Sequence, residues 1–463
     1  MKKVVIAVIA VILAIGCIAC FTACNKGDQK VDDGAGVTMA TKVNYDPDYS
    51  ILNNVDLTGK TLNVGVIWVG DSTEGYTEAH IEGLNKAAAN LRAKGATVNI
   101  TTKEKIGEDA TCQAQAEQLA QNNDLIISNS YGHQDHMKAA AANYPTKTFV
   151  AMTGDFASIS GCSNLKNAFN DVYQSRFVSG VVAGYKLKQL VDDGLLTDKN
   201  YDGNNIKIGY VGAFPYAEVV SGYTAFYLGI KSIVPNVVMD VKYTQSWFDF
   251  DKEYQTAKSF ISDGCIIIGQ HADSEGAPTA CEEAYMKGTR VYSVGYNVDM
   301  LSAAPHAALT SSTNDWSVYY TYCLTKAILG EEIAQNWAEG YNKGAVAITP
   351  INGTVFKTDI SANVKAVVDG IHNGTIKVFD TNTFKVTVTE SKNQGATVDE
   401  NGKLLSYNAG LSYMDFSKNP PEAIYSWTAD SQVIKNGEFV ESDAANFRSA
   451  PYFDLHIDGI TEK

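Results

Sequence analysis

Beyond residue 60, short runs of Val, Ile and Leu alternate with longer stretches in which apolar residues recur every three or four positions. Runs of four to eight apolar residues fit strands buried on both faces, and the wider spacing fits the helices that cover them. The pattern predicts strands at 61–69, 97–102, 125–128 and 148–152, with helices at 76–93, 110–121 and 135–143. It breaks over 154–170, where no period is evident, and a long helix follows at 173–191. After a stretch of Asp, Asn and Gly at 194–205 the rhythm returns. Strands are predicted at 206–211, 238–243, 265–269 and 290–294, and helices at 217–230, 252–262 and 277–287. Two successive alternating units predict an α/β chain of two doubly wound parallel-sheet lobes around a ligand cleft, because parallel strands need crossover helices on the sheet faces. Lobe 1 is expected at 57–192 and 305–335, and lobe 2 at 193–304 and 336–380. From 381 to 463, Gly, Asn and Thr dominate with strand-like runs such as 384–389, and this part reads as a C-terminal appendage.

The first residues follow another pattern. Met1-Lys2-Lys3 precedes an uncharged, largely apolar run to Asn25, the layout of a secretory signal, although a single membrane anchor has similar length. Cys17, Cys20 and Cys24 close this run, and Phe21-Thr22-Ala23-Cys24 resembles the lipobox of bacterial lipoproteins. That resemblance implies cleavage of a signal peptide at 1–23 and lipidation of Cys24, whose acyl chains would suffice for stable anchoring. Residues 24–56 then read as a flexible tether, and the expected location is the extracytoplasmic face of the cell membrane. Five further cysteines (Cys112, Cys162, Cys265, Cys281 and Cys323) are scattered singly, and an odd number outside the cell leaves at least one free thiol.

Composition narrows the function. With 37 Lys+Arg against 52 Asp+Glu, the net charge of −15 lacks the basic footprint of a nucleic-acid binder. The 45% hydrophobic content over 463 residues excludes a disordered acidic chain and supplies ample core. Loss of residues 1–23 removes two lysines and leaves −17, which disfavours polyanionic ligands. The 25 tyrosines exceed the 17 Phe and 5 Trp together.

In doubly wound sheets, ligands bind beyond the carboxyl ends of the strands. Those ends carry Trp68-Val69-Gly70-Asp71 with Tyr76 and His80, Ser128-Asn129-Ser130-Tyr131, Thr153-Gly154-Asp155-Phe156, Phe214-Pro215-Tyr216-Ala217-Glu218, Trp247-Phe248-Asp249, Gln270-His271-Ala272-Asp273 and Tyr296-Asn297-Val298-Asp299, with Tyr76, Tyr131, Tyr216 and Tyr296 expected to face the cleft. Each sets an aromatic beside a small polar or acidic residue, a composition suited to a planar, polar small molecule. Any one of these acids also reads as a helix N-cap, and any one ring as core. The sequence carries no GxSxG, P-loop or HExxH motif, and His133 and His136 stand near too few acids for a metal site. Neither enzyme activity, a cofactor nor a metal is expected.

From about 63 to 332 the chain resembles the BMP (basic membrane protein) family of substrate-binding lipoproteins of ABC importers. The resemblance is carried by Gly75-Tyr76-Thr77-Glu78-Ala79-His80, Ser130-Tyr131-Gly132, Gly209-Tyr210-Val211-Gly212-Ala213-Phe214-Pro215, Ser246-Trp247-Phe248-Asp249, Gln270-His271-Ala272-Asp273-Ser274, Ser293-Val294-Gly295-Tyr296-Asn297-Val298-Asp299 and Leu309-Thr310-Ser311. It implies a type I periplasmic-binding-protein fold, a monomer, ABC permease subunits as partners, and a purine nucleoside or nucleobase as ligand. It also implies stacking by Tyr76 and Phe214, joined by Trp247, and orientation by Asp299, Asn297, Asp273 and Ser130. Asp71, Tyr131 and Trp316 complete the expected ligand-binding set. Nucleoside-binding members usually carry a lysine shortly after the Thr-Ser pair. Here Thr310-Ser311-Ser312-Thr313-Asn314-Asp315-Trp316 has none, which shifts the expectation toward a free nucleobase or another planar ligand. A sensor lipoprotein coupled to a membrane kinase, a secreted nucleoside hydrolase and a surface adhesin are the alternatives.

Overall fold

The computed structural model describes residues 34, 36–407, 411–415, 422–427, 433–442 and 448–463. The signal segment 1–23 and Cys24 lie outside the described residues. The first lobe is built on β1 (Thr61–Ile67), β2 (Thr97–Lys103), β3 (Leu125–Ser128), β4 (Thr148–Met152), β5 (Leu165–Asn170) and β12 (Asn336–Glu339), all parallel in the order β12-β5-β4-β3-β1-β2. Helices α1 (Gly75–Arg92), α2 (Ala110–Ala120), α3 (Gln134–Asn143) and, from later in the chain, α8 (Ser317–Leu329) cover it. The central strands β3 and β4 have almost no exposed residue, as their unbroken apolar runs require.

The second lobe holds β7 (Asn205–Gly212), β8 (Val237–Tyr243), β9 (Ile267–Gln270), β10 (Tyr292–Tyr296), β11 (Ala308–Asn314), β13 (Val346–Ile348) and β14 (Ile460–Glu462), in the order β13-β11-β10-β9-β7-β8-β14. The short β6 (Tyr201–Asp202) pairs with β7, and only β6 and β13 run antiparallel to their neighbours. Around this sheet lie α4 (Val172–Asp192), α5 (Ala217–Lys231), α6 (Phe250–Asp263), α7 (Gly276–Met286) and α9 (Ser361–His372). Helices α4 and α5 cross in direct backbone contact at two glycines. A Cβ on Gly180 would lie 2.2 Å from the Phe226 carbonyl oxygen, and one on Gly229 would lie 2.1 Å from that of Phe177. The α6 helix starts at Asp249, whose side chain accepts from the Lys252 N–H, and stops at Gly264 with φ 91°.

Four features depart from the sequence expectation. Residues 165–170, in the stretch without a period, form a wholly buried strand. Its polar residues break the apolar run but find partners: Asn167 donates to the Ala151 carbonyl at 2.8 Å and accepts from the Ala157 N–H at 2.7 Å. The lobe boundaries are redrawn as well. Helix α4 packs in the second lobe, β11 joins the second sheet, and β12 returns to the first. Periodicity marks elements but not the sheet each one joins.

The tether expected over 24–56 is packed from residue 37 onward. Val37 bonds to Gly353, Asn44 to Ile348 and Asp48 to Lys343; Val43 enters the second-lobe core and Leu52 the first. The appendage is likewise integral in part. Its last strand extends the second sheet beside β8, and Tyr452, Phe453, Leu455 and Ile457 fill that lobe's core. Among the described residues the run at 384–389 makes no ladder, only isolated bridges from Val386 to Ile457 and from Thr389 to Lys392.

The chain passes between the lobes after β5, after β11 and after β12. Asn170 ties these passages together, donating to Asn314 Oδ1 at 3.2 Å and to the Ala345 carbonyl at 3.0 Å. Among the described residues no helix is long and apolar enough to cross a membrane, and all five described cysteines are free thiols.

Candidate functional site

The carboxyl ends of both sheets face a chamber of about 570 Å³, counting space open to solvent. The first lobe supplies Val69 and Glu74 after β1, Tyr76 on α1, Ser130 and Tyr131 after β3, Thr153 after β4, Phe169 on β5, and Trp316 before α8. The second lobe supplies Glu218 on α5, Trp247, His271 and Asp273, Tyr296 at the end of β10, and Asn314 at the end of β11.

Two groups of rings shape the chamber. On the first lobe His80 stacks against Trp316 with centroids 4.2 Å apart and meets the edge of Tyr76 at 4.6 Å. His80 Nδ1 lies 2.7 Å from the Tyr320 hydroxyl, and burial pushes its pKa well below the usual range, so a neutral imidazole supports the Trp316 ring. The Tyr76 hydroxyl donates to the Asn129 carbonyl, which fixes that ring too. On the second lobe Trp247 meets Phe214 edge-on at 5.0 Å, and Phe214 stacks on Tyr216 at 5.2 Å. His271 lies 5.0 Å from Tyr296, with its pKa pushed well down by burial and then by Arg176. Arg176, buried on α4, sets its guanidinium 3.6 Å from the Tyr296 ring centroid and donates to the Gln270 carbonyl.

The lining carries three carboxylates, Glu74, Glu218 and Asp273, and neither lysine nor arginine. Burial raises the pKa of all three. Glu218 is pushed up to about 8, by burial first and by Asp155 second, with Arg176 and Arg448 opposing. Asp273 is raised well above the carboxylate range by burial, then by Glu74 and Glu253, against Arg176. It accepts from Asn297 Nδ2 at 2.7 Å. The Trp316 Nε1 donor is buried without a partner among the described residues. Flat rings, carboxyl groups and an unused indole N–H suit a planar ligand with several donors and at least one acceptor.

Of the residues expected from sequence, Tyr76, Ser130, Tyr131, Trp247, Asp273 and Trp316 come together at the chamber. The Ser130 hydroxyl is already engaged with Glu108. The other four are not brought to it. Phe214 stands behind Trp247, and Asn297 stands behind Asp273, holding it from a left-handed backbone at φ 62°. Asp71 pairs with Lys105 at 2.6 Å and caps Thr73. Asp299 is exposed and accepts from the Leu301 N–H at 2.9 Å, a local cap lining an adjoining surface depression that shares only Asn314 and Trp316 with the chamber. Sequence reasoning set Tyr296 at the cleft edge without a role and left out Val69, Glu74, Thr153, Phe169, Glu218, His271 and Asn314 as site residues, although Val69, Thr153, Glu218 and His271 sat in its strand-end clusters. Arg176 carried no recognised signal, since it lies in the second turn of a helix whose spacing does not show that most of it is buried.

A family model described as ABC transporter substrate-binding protein PnrA-like (Bmp) matches residues 62–382. A purine-binding protein of Brucella abortus (strain 2308) is 30% identical over 291 residues, spanning 62% of this chain and 75% of its own. A putative ABC transporter glucose-binding protein of Haloferax volcanii is 31% identical over 205 residues, 44% of this chain and 46% of its own, so the chain spans under half of that relative. Among solved structures, an ABC transporter solute-binding protein from Aeropyrum pernix K1 aligns with a TM-score of 0.55 at 15% identity, covering 71% of this chain and 95% of that one. Another from Conexibacter woesei DSM 14684 aligns with a TM-score of 0.50 at 20% identity, covering 68% and 98%. These structural likenesses establish the type I periplasmic-binding-protein fold. On the match over 62–382, the chain belongs to the Bmp, PnrA-like family of ABC transporter substrate-binding proteins.

Proposed function

We propose that this substrate-binding protein is lipid-anchored through Cys24 on the extracytoplasmic face and captures a purine-type nucleobase or nucleoside for an ABC importer. The observation that carries the ligand class is the chamber itself. Rings from both lobes flank a space whose lining is rich in carboxyl groups and free of lysine and arginine, so it favours a flat, donor-bearing molecule over an anion. The Brucella relative named as purine-binding supports the same class. Because the lining comes from both lobes, a ligand bridging them favours the closed arrangement, and the passages tied by Asn170 are where a hinge would act.

Thermal unfolding with adenine, hypoxanthine, guanine, their nucleosides, riboflavin and glucose tests the reading. A ligand at 100 times its Kd adds about 2.7 kcal/mol of stability. A flat response to every purine refutes the proposed ligand. A sugar is the second reading, favoured by the Haloferax relative named as glucose-binding, and a shift with glucose alone would select it.

A further inference from the structure

Outside the aromatic chamber the lobes face each other again across an opening of about 940 Å³, counting space open to solvent. Its first-lobe wall is the turn after β4, which carries Asp155, and its second-lobe wall is the start of α5 with Arg448, Pro451 and Asp454. Tyr131, Thr153 and Glu218 line both spaces, so contacts that hold the opening together also hold one side of the chamber. Such contacts are present. The Tyr131 ring meets Tyr216 of the other lobe with centroids 5.6 Å apart, and Arg448 Nη2 lies 3.7 Å from Asp155 Oδ2. The two charged side chains are only 7% and 16% exposed, so water screens the pair less than one on the open surface.

Both halves of the ion pair are preset. Arg448 donates from Nε to the Ala450 carbonyl at 3.0 Å and from Nη2 to the Pro451 carbonyl, which fixes the guanidinium on its own turn. On the facing wall Asp155 Oδ2 accepts from the Tyr131 hydroxyl at 3.2 Å, and the Asp155 N–H donates to Gln134 Oε1 at 2.9 Å. The other carboxyls of the opening compete weakly for the cation. Burial pushes Glu218 up to about 8, and Asp454 is exposed and accepts from the Tyr407 hydroxyl. Arg448 belongs to a segment beyond the family match, which ends at residue 382. Phe453 and Leu455 of that segment are buried in the second-lobe core, and Ser442 donates to Asp171 Oδ1 at 3.1 Å just after β5, where the chain passes between the lobes. The segment therefore moves with the second lobe, and any opening of the cleft pulls Arg448 away from Asp155.

We propose that the C-terminal segment latches the two lobes, with Arg448 pairing with Asp155 when the cleft is shut, and that breaking this pair sets the rate at which bound ligand is released. Arg448 and Asp155 are positioning residues in this role, since each acts on the opposite lobe and not on the ligand. The latch rests on the interlobe contact alone, and its effect on release rests on the reading that the chamber holds a purine-type ligand.

Two measurements on the full-length protein in mild detergent test this, with Asp155→Asn, Arg448→Gln, the double variant and Arg448→Lys. Asn keeps an acceptor for the Tyr131 hydroxyl, Gln keeps a donor for the turn, and Lys keeps the charge. Without ligand, hydrogen exchange at the cleft-facing segments 129–134 and 213–219 should run about fivefold faster in each single charge-removing variant, while the strands of both sheets stay protected and report that the lobes are folded. The double variant should exchange no faster than the faster single one, because the same pair is lost in all three, and Arg448→Lys should stay near native. Stopped-flow fluorescence of Trp247 and Trp316, which line the chamber, follows release of adenine, hypoxanthine and their nucleosides. Release should be about tenfold faster in Asp155→Asn and Arg448→Gln, the scale of a close charge pair lost across an interface. Native exchange in both single variants overturns the latch, as do additive effects in the double variant or an Arg448→Lys protein that opens as far as Arg448→Gln. Unchanged release of a purine that does bind also overturns it. Failure of all four compounds to bind refutes the purine reading alone, and exchange in the ligand-free protein then decides the latch.

Discussion

Replacing Glu218 with Gln should change how stability depends on pH, because this carboxyl is held at about 8 against an ordinary 4.5. Below pH 4.5 the group is protonated in both the folded and unfolded chain and adds no pH dependence. Between 4.5 and about 8 the unfolded chain releases the proton while the folded chain keeps it, so stability falls as pH rises through this window. Above about 8 the loss is complete. At about 1.4 kcal/mol per pH unit, the full gap bounds the effect at roughly 5 kcal/mol. Glu218 keeps some contact with solvent at the cleft, and screening there reduces the expectation to roughly 2–3 kcal/mol. Gln is neutral throughout and should escape the loss. Urea unfolding of both proteins at intervals from pH 4.5 to 8.5 gives the comparison. The advantage of Gln over the native residue should grow by roughly 2–3 kcal/mol from pH 4.5 upward and level off above about 8. Asp171 and Glu253, each raised to about 7 by burial, titrate in both proteins and cancel in the difference. Parallel profiles would show that the folded protein does not disfavour ionised Glu218, and the account of the site's electrostatics would fail with it.

Three further outcomes follow from the geometry. Asp273→Ala should weaken ligand binding by about 1–3 kcal/mol in calorimetry, since it removes a buried carboxyl group, while Asp299→Ala, at an exposed cap outside the chamber, should leave affinity within about twofold. Gly180→Ala should destabilise the second lobe by about 1–3 kcal/mol in denaturant unfolding, because its Cβ would sit 2.2 Å from the Phe226 carbonyl oxygen and force α4 and α5 apart. Asn170→Ala should cost about 1–3 kcal/mol of stability and broaden the range of lobe orientations seen by small-angle scattering, because it unties two of the hydrogen bonds joining the interlobe passages.

Much of the fold was written in local periodicity. The apolar runs of β3 and β4 have one physical solution, a strand covered on both faces, and the spacing at 76–93 has one as well. The strand-end rule then placed Tyr76, Ser130, Tyr131, Trp247 and Asp273 at a common edge, where the chamber lies, and Trp316 joined them from the stretch compared with the family. Phe214, Asn297, Asp71 and Asp299 sit at the same edges, yet a turn of the chain directs them into a second layer, an ion pair or a cap. No spacing in the sequence distinguishes an acid that caps its own helix from one that faces the cleft.

What the sequence determined by itself was therefore the alternation of strands and helices, and the edge on which chemistry gathers, because both follow from contacts local in the chain. Tertiary structure decided which lobe each element joins, as with α4, β11 and β12, since sheet membership depends on long-range pairing. It also decided the fate of polar residues such as Asn167 and Arg176, whose burial is tolerable only with partners distant in sequence. The C-terminal segment shows the same division most clearly. Its turn-rich composition reads as an appendage, but its packing against the second lobe carries Arg448 to face Asp155 across the cleft.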